Sequence, residues 1–350
     1  MRKNYLNRFC FAFGLVLVWL CVGPVSAEPQ IAIADFYRGR TVTIVVGSDA
    51  GGGYDLTARA LSRHIAKYIP GQPTIIVQNK PGASSLAAAS FVADAAPMDG
   101  TVIAAVQRPV PFQFLFGQAG VKLDLQRLHW LGSTAKEPGV FVAWNTAPQR
   151  SFEDLRNREM IIGGNGPSTD TELFARTLNN LFGTRLKIVS GYPGQNEIIL
   201  AMQRGEVQGV ANWSWSDIES RHPDWINEKR VSFLLQLALE PIGSPALSGV
   251  PFILDLARTP DERALLTLLM QNKALGRPYF VGSKVPPERI TVLREAFDAT
   301  MVDETFRADA LKTVGAIDAV SGKDMQKILS EVYALPEDLV NRARAAVGVN

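Results

Sequence analysis

The chain has 350 residues, with 36 Lys and Arg against 34 Asp and Glu, and 47% of it is hydrophobic. This near-neutral balance gives no electrostatic footprint for nucleic acid, and the length exceeds one ordinary core and favours two domains. Both cysteines, Cys10 and Cys21, lie within the first 27 residues, so the rest of the chain has no disulfide framework.

The first 27 residues have the three parts of a secretory signal peptide. Arg2 belongs to a basic start, Phe9–Val22 is an apolar run, and Val25–Ala27 is a small-residue cleavage site. The run is shorter than the roughly 20 residues that span a membrane, although a retained anchor is the alternative. We predict a signal peptide over residues 1–27, cleavage after Ala27 and export to the periplasm, with no membrane insertion afterwards. The mature chain then has a net charge of −1.

The first part of the mature chain alternates strands and helices. Val42–Val46 is a continuous β-branched run, typical of a buried parallel strand. A helix with apolar residues on one face follows and ends at Pro70, before a second strand at Thr74–Val77. A small-residue helix at Leu86–Ala95 then leads to a third strand at Thr101–Val106. This β-α-β-α-β order predicts an α/β fold.

A second alternation follows two short apolar pieces within residues 128–144. Its predicted elements are a strand at Met160–Ile162, a helix at Glu172–Phe182, a strand at Leu186–Val189, a helix at Gln195–Arg204, and strands at Val207–Ala211 and Val231–Leu239. One more strand, a helix from Glu288 and a helical tail broken at Pro336 end the chain. We expect two lobes joined by short crossings: residues 28–133 with 277–350, and residues 134–276.

Three glycine-rich turns each leave a strand and open a helix, at Gly47–Asp55, Pro81–Ser85 and Gly163–Thr171. Turns of this kind aim backbone N–H groups and the positive end of a helix into a cleft, which suits an anion. The alternative is that glycine serves only the tight turn. Because such turns converge at the carboxyl ends of the strands, the three together favour an anion-binding cleft.

Enzyme motifs are absent from the sequence. It has no G-x-G-x-x-G, no phosphate-binding loop and no G-x-S-x-G elbow. The three histidines, His64, His129 and His222, are far apart and lack metal-ligand spacing. We therefore predict a binding protein rather than an enzyme, with no cofactor and no metal.

Several short motifs occur in a specific order. They are Thr43–Asp55 (TIVVGSDAGGGYD), Gln78–Ser84 (QNKPGAS), Ala96–Thr101 (APMDGT), Tyr192–Val207 (YPGQNEIILAMQRGEV) and Val281–Ile290 (VGSKVPPERI). In this order, over essentially the whole mature chain, the sequence resembles the solute receptors of tripartite tricarboxylate transporters, the Bug-type periplasmic binding proteins.

This resemblance implies an α/β, two-lobed, type II-like periplasmic binding protein. Two mixed or parallel sheets flanked by helices would close a cleft on a small organic carboxylate. The resemblance also implies a monomer that delivers the acid to the inner-membrane permease subunits of a tripartite tricarboxylate transporter. The alternative is a receptor that feeds a signalling system instead of a permease.

Family members typically hold one carboxylate through backbone N–H groups and ordered waters from both lobes. The resemblance therefore implies a ligand-binding set at the strand ends, made of Ser48, Gly51, Gly52, Gly53, Asp55, Gly82, Ala83, Ser84, Ser85, Gln107, Ser168, Thr169, Asp170, Tyr192, Asn212 and Trp213.

Two positions depart from the family pattern. Ser48 stands where the family often has a bulky aromatic residue, and Asp170 where a histidine commonly opens a helix. A carboxylate beside a bound carboxylate would repel it. Either Asp170 caps its own helix and points away, or the ligand carries a hydrogen-bond donor or a positive group. In the second case Asp170→Asn weakens binding.

Three further residues have open roles. Trp213 and Trp215 either form an aromatic platform for a flat ligand or pack into the lobe and onto its surface. Arg108 either counters a second carboxylate or is a solvated charge.

Overall fold

The structure, a computed structural model, describes residues 28–113 and 123–348. The predicted signal peptide, residues 1–27, lies outside this part of the chain. The strands, in chain order, are β1 Thr41–Val46, β2 Thr74–Asn79, β3 Val102–Ala105, β4 His129–Ser133, β5 Gly139–Trp144, β6 Met160–Gly163, β7 Leu186–Val189, β8 Gly209–Ser214, β9 Val231–Leu237, β10 Pro278–Val281 and β11 Val320–Ser321.

Helices cover the faces of the sheets. In chain order the α-helices are α1 Glu28–Tyr37, α2 Gly53–His64, α3 Leu86–Ser90, α4 Asp154–Asn157, α5 Asp170–Phe182, α6 Gln195–Gln203, α7 Trp215–Arg221, α8 Pro223–Asn227, α9 Pro260–Met270, α10 Pro287–Met301, α11 Glu304–Leu311, α12 Gly322–Tyr333 and α13 Glu337–Ala346. In the described residues, no helix is both long and apolar enough to cross a membrane.

Two mixed sheets form the cores of two lobes. The six-stranded sheet of lobe 1 has the order β11-β4-β10-β3-β1-β2, and the five-stranded sheet of lobe 2 has the order β7-β6-β8-β5-β9. β1 is parallel to β2 and β3, and β6 is parallel to β7 and β8. β10 and β5 are antiparallel to their neighbours. The predicted two-lobed α/β fold with a cleft is confirmed.

The two lobes meet along a shared core. One hydrophobic cluster runs from the helices on β3 through β4 and β5 to α5, α9 and α13. Separate clusters fill the outer faces, one beneath α2 and α10 and one beneath α6, α7 and α8. The helical tail is shared too, because α12 packs on β4 while α13 contacts α9 and α5. The division at residues 133/134 and 276/277 remains a prediction.

Most strands lie where the sequence predicts them, and one differs. The predicted strand Val207–Ala211 instead begins at Gly209 and runs to Ser214, because β8 pairs with β5 as far as Gly139. Trp213 therefore lies within the strand, and Trp215 begins α7. The reason is tertiary, since the partner strand decides where the ladder ends.

Gly132 in β4 occupies a crowded position that requires glycine. Its φ is +148°, and an added Cβ would lie 2.8 Å from the carbonyl oxygen of Val320 and against the Phe297 ring. The pairing between β4 and β10 also slips register here, as at a β-bulge.

We expect Gly132→Ala to lower the free energy of unfolding by roughly 3 kcal/mol, since backbone strain and overpacking add. Urea unfolding measures the change. Gly183→Ala is the control, because its φ is +65° but no atom lies within 4 Å of the added Cβ. It should cost only about 1 kcal/mol. Equal losses in the two variants would contradict the packing argument.

Candidate functional site

A cavity of about 70 Å³ lies between the lobes, where the loops that follow β1, β3, β6 and β7 meet. One water needs roughly 10–15 Å³ of such space, so the cavity has room for a small molecule. It adjoins a wider pocket of about 380 Å³. Ser48, Asp49 and Gln107 line both.

Lobe 1 offers the first helix N-terminus to this cavity. Gly52 is the N-cap of α2, and Gly52, Gly53 and Tyr54 line the wall. The first N–H groups of a helix have no partner within it, and the helix end is positive. Glycine at these positions leaves the backbone open to a ligand.

Asp55 braces this turn from behind. Its carboxylate accepts hydrogen bonds from the Gly51 N–H at 2.8 Å, Asn79 Nδ2 at 2.9 Å and Arg59 Nε at 2.9 Å. Burial acts to raise the pKa of Asp55, but these hydrogen bonds outweigh it and hold the pKa below its usual value. Asp55 is buried and does not line the cavity. It therefore holds the loop in shape.

The second turn has an unusual backbone. Gly82, Ala83, Ser84 and Ser85 have φ values of +128°, +46°, +55° and +74°. Such a run is costly for residues with a side chain and is concentrated at functional sites. The buried Ser85 hydroxyl donates to the Gly47 carbonyl at 2.6 Å and accepts from the Gln107 N–H at 3.1 Å. Ser85 thus ties together the loops after β1, β2 and β3.

Lobe 2 contributes the N-termini of α5 and α6. Thr169, Asp170 and Thr171 line the cavity at α5, and Gly194 with Gln195 does so at α6. Three helix N-termini from two lobes therefore converge on one space, and each contributes partial positive charge there.

Asp170, the first residue of α5, does not cap the helix, whose N-cap is Thr169, and its carboxylate joins a buried ionic network instead. Asp170 lies with Oδ2 2.7 Å from Lys273 Nζ and 2.7 Å from Arg108 Nε, and its Oδ1 accepts from Asn272 Nδ2 at 2.7 Å. Burial acts to raise the pKa of Asp170, but the charges of Lys273 and Arg108 outweigh it and hold the pKa below its usual value. Asp170 therefore remains deprotonated, and the positive charges of Lys273 and Arg108 balance its negative charge.

Lys273 is buried, and its Nζ also donates to Asn212 Oδ1 at 2.8 Å. Burial lowers the pKa of Lys273 from 10.5 to about 7, while the Asp170 carboxylate opposes this shift. Between about pH 7 and 10 the unfolded chain therefore binds more protons than the folded protein.

We expect the stability that Lys273 contributes to rise with pH over this range, by at most about 1.4 kcal/mol per unit. The measurement is the difference in the free energy of unfolding between the native protein and Lys273→Met at several pH values. A difference that is constant with pH would contradict the lowered pKa.

A second buried ionic cluster joins the lobes beside the cavity. Arg277 Nε is 2.8 Å from Glu137 Oε1, and its NH2 group is 3.1 Å from Asp217 Oδ1. Arg277 NH1 also donates to the Gly53 carbonyl at 3.1 Å. The N-terminus of α2 in lobe 1 is thereby held against α7 of lobe 2.

A UPF0065 protein from the gbd 5′ region of Cupriavidus necator is 34% identical over 282 residues, covering 76% of this chain and 82% of that protein. The chain belongs to the UPF0065 family of Bug-type receptors. A UPF0065 protein of Agrobacterium vitis is 24% identical over 212 residues and is covered over 59% of its length. No protein-family model matches the chain.

Solved structures share the fold of this receptor at low identity. The periplasmic binding protein BugD aligns with a TM-score of 0.70 at 16% identity, over 90% of this chain and 99% of BugD. A Rhodopseudomonas palustris protein with adipate has a TM-score of 0.67 at 18% identity, over 89% of this chain and 98% of that protein. MatC of the same organism, with malate, has a TM-score of 0.66 at 16% identity, over 88% of this chain and 99% of MatC.

Most of the residues predicted for the ligand site of this Bug-type receptor border the cleft. The cavity is lined by Ser48, Gly52, Gly53, Gln107, Thr169, Asp170 and Asn212, and the wider pocket by Gly82, Ala83, Ser84, Ser85 and Tyr192. Gly51, Asp55, Ser168 and Trp213 do not line either. The lining residues remain predictions as ligand contacts.

The tryptophans lie away from the cavity. Trp213 and Trp215 are 1% and 4% exposed and pack in the outer core of lobe 2, where Trp213 meets Trp225 edge-on at 5.4 Å. Successive residues of a strand point to opposite faces, so Asn212 faces the cavity and Trp213 faces the helices. Arg108 is buried, donates to Ser214 and pairs with Asp170.

Several lining residues were not predicted from the sequence. Asp49, Asn165, Gln195 and Glu197 all border the cavity. Their only signal is position, since each lies within two or three residues of a helix N-terminus or a glycine turn. Within residues 28–113 and 123–348, no His, Cys, Asp and Glu side chains form a group suited to a metal ion.

Proposed function

We propose that this UPF0065 receptor captures a small organic carboxylate in the inter-lobe cavity, without transforming it. The observation that carries the proposal is the convergence of the N-termini of α2, α5 and α6 on one space. Because Asp170 places a carboxylate at the N-terminus of α5, the ligand carboxylate belongs at the α2 end, against Gly52 and Gly53. Ser48, Gln107 and Asn212 border the same space.

The energetics are sufficient for binding. Each charge-assisted hydrogen bond contributes about 1.5–3 kcal/mol, and micromolar affinity corresponds to about −8 kcal/mol. A few backbone N–H groups, with Asn212 and Ser48, meet this requirement once ordering costs are subtracted. Two proteins of the same fold carry adipate and malate, which supports a carboxylate as the ligand class.

The test is a thermal-shift screen of the mature protein against mono-, di- and tricarboxylates, confirmed by calorimetry. A ligand at 100 times its dissociation constant adds about 2.7 kcal/mol of stability. Saturable stabilisation by a carboxylate supports the proposal. If no acid shifts the melting temperature of protein with native circular dichroism, the proposed function is overturned. Turnover of a bound acid would instead indicate an enzyme.

We also propose that the receptor is a periplasmic monomer, cleaved after Ala27, that delivers its ligand to the permease subunits of a tripartite tricarboxylate transporter. N-terminal sequencing of the periplasmic protein should begin at Glu28. Uptake of the labelled ligand should require both the receptor and the permease. Uptake that is unchanged without the permease would favour the signalling alternative.

A further inference from the structure

Two acidic side chains from opposite lobes face each other in the cavity. A Cβ placed on Gly194 would lie 2.6 Å from Asp49 Oδ2 and 3.1 Å from Glu197 Oε2. Asp49 follows β1 in lobe 1, and Glu197 lies in the first turn of α6 in lobe 2. Both carboxylates therefore converge on one point of the cavity wall.

Asp49 and Glu197 have no counter-ion in the described part of the chain. Among the described residues, neither Asp49 nor Glu197 forms an ion pair, unlike Asp170. Arg221 lies at the same rim, but it donates to Asn196 Oδ1 at 3.2 Å and to the Gly51 carbonyl at 3.5 Å. Burial and the Glu197 charge raise the pKa of Asp49, as expected of like charges held together.

Hydrogen-bond donors line the same cavity. Asn212 is 1% exposed, and its Oδ1 accepts from Lys273 Nζ, so the amide nitrogen Nδ2 is the free end. Nδ2 donates to no residue in the described part of the chain, although Asn212 lines the cavity. Ser48 Oγ is likewise buried there without a described partner. The backbone of Gly52 and Gly53, at the N-terminus of α2, lines the cavity as well.

The cavity wall thus offers both hydrogen-bond donors and carboxylates that pair with no described cation. We propose that its ligand is a zwitterion with one carboxylate and one ammonium group, such as a short amino acid. This inference rests on the proposed function and specifies its ligand class. The carboxylate takes the N–H groups of Gly52 and Gly53 with Asn212 Nδ2. The ammonium group donates to Asp49 and Glu197.

A dicarboxylate is disfavoured by the same geometry. Its second carboxylate would lie beside Asp49 and Glu197, where a closed cleft screens charge weakly. The side chains of Arg108 and Lys273 do not relieve the repulsion, because Asp170 already engages both. The two carboxylates therefore give specificity in two ways: they repel a dicarboxylate and they attract the ammonium group of a zwitterion.

The experiment compares ligands of matched length by calorimetry: 4-aminobutanoate, butanoate and succinate, with 3-aminopropanoate, propanoate and malonate as a shorter set. We expect the amino acid of at least one set to bind about tenfold or more tightly than both partners, the effect of one charge-assisted hydrogen bond. Asp49→Asn and Glu197→Gln should each remove most of that preference. Glu288→Gln, an exposed first-turn acid on α10, is the matched control.

Each outcome has a distinct meaning. A monocarboxylate or dicarboxylate that binds more tightly than its amino acid in both sets overturns the zwitterion and leaves the carboxylate receptor standing. The same holds if both variants keep the native preference while their melting temperatures are native. Absence of binding by every acid, in these sets and in the wider carboxylate screen, overturns the proposed function and this inference together.

Discussion

Replacing Asp170 with alanine is expected to lower the free energy of unfolding by about 3–5 kcal/mol, the usual cost of removing one partner of a buried ion pair. Lys273 would be left buried without its counter-charge, and Arg108 would keep only the more distant Glu137 carboxylate, at 4.0 Å. Lys273 can release its proton, whereas a guanidinium cannot, so Arg108 accounts for most of the loss. Urea unfolding measures the change in the free energy of unfolding, provided that the m-value is the same for the variant and the native protein.

The matched control is Asp261→Ala, which removes an exposed partner of Arg342. Exposed pairs contribute roughly 0–1 kcal/mol, so this variant should unfold almost as the native protein does. If Asp170→Ala cost no more than Asp261→Ala, the buried network would not stabilise the fold, and the alternative in which Asp170 contacts a donor or positive group of the ligand would return.

Replacing Gly52 with valine is expected to weaken carboxylate binding at least about 100-fold, because a branched side chain at the α2 N-cap blocks the open N–H groups, and two charge-assisted hydrogen bonds are lost. Folding should survive. The φ of Gly52 is −76°, and an added Cβ meets only the Asp49 carbonyl oxygen, at 3.6 Å. Calorimetry with the best ligand measures the affinity.

Gly243→Val is the control for this variant, since no atom lies within 4 Å of an added Cβ there. It should keep native affinity. Native affinity in Gly52→Val, with native circular dichroism, would move the carboxylate away from α2 and undermine the proposed orientation of the ligand.

The order of strands and helices is readable from the sequence because it depends on short-range patterns. The β-branched run at Val42–Val46 and the proline break at Pro336 specify elements through local propensity and backbone geometry. The glycine turns are equally local, so the helix N-termini at the cleft were predictable. Where β8 ends was not, because the pairing of Trp213 with Val140 decides it.

Local sequence patterns did not specify which charged side chains of the cleft are paired. Asp170 was recognised as a departure, yet its partner Lys273 lies 103 residues away, on the crossing between lobes. In the sequence, Asp49 is an ordinary loop residue and Glu197 an ordinary acid in the first turn of a helix. Their proximity is visible only in the folded protein. Which buried charge neutralises which depends on distances across the fold, and a Coulomb interaction in a closed cleft changes steeply with those distances.

The sequence by itself therefore determined the two-lobed α/β architecture, the glycine turns and the family. Only the tertiary structure decided that Asp170 is neutralised by Lys273 and Arg108, that Trp213 faces the core, and that Asp49 and Glu197 converge on one point. The physical reason is that strand and helix signals act over a few residues, whereas the charge that a ligand meets is the sum over both lobes.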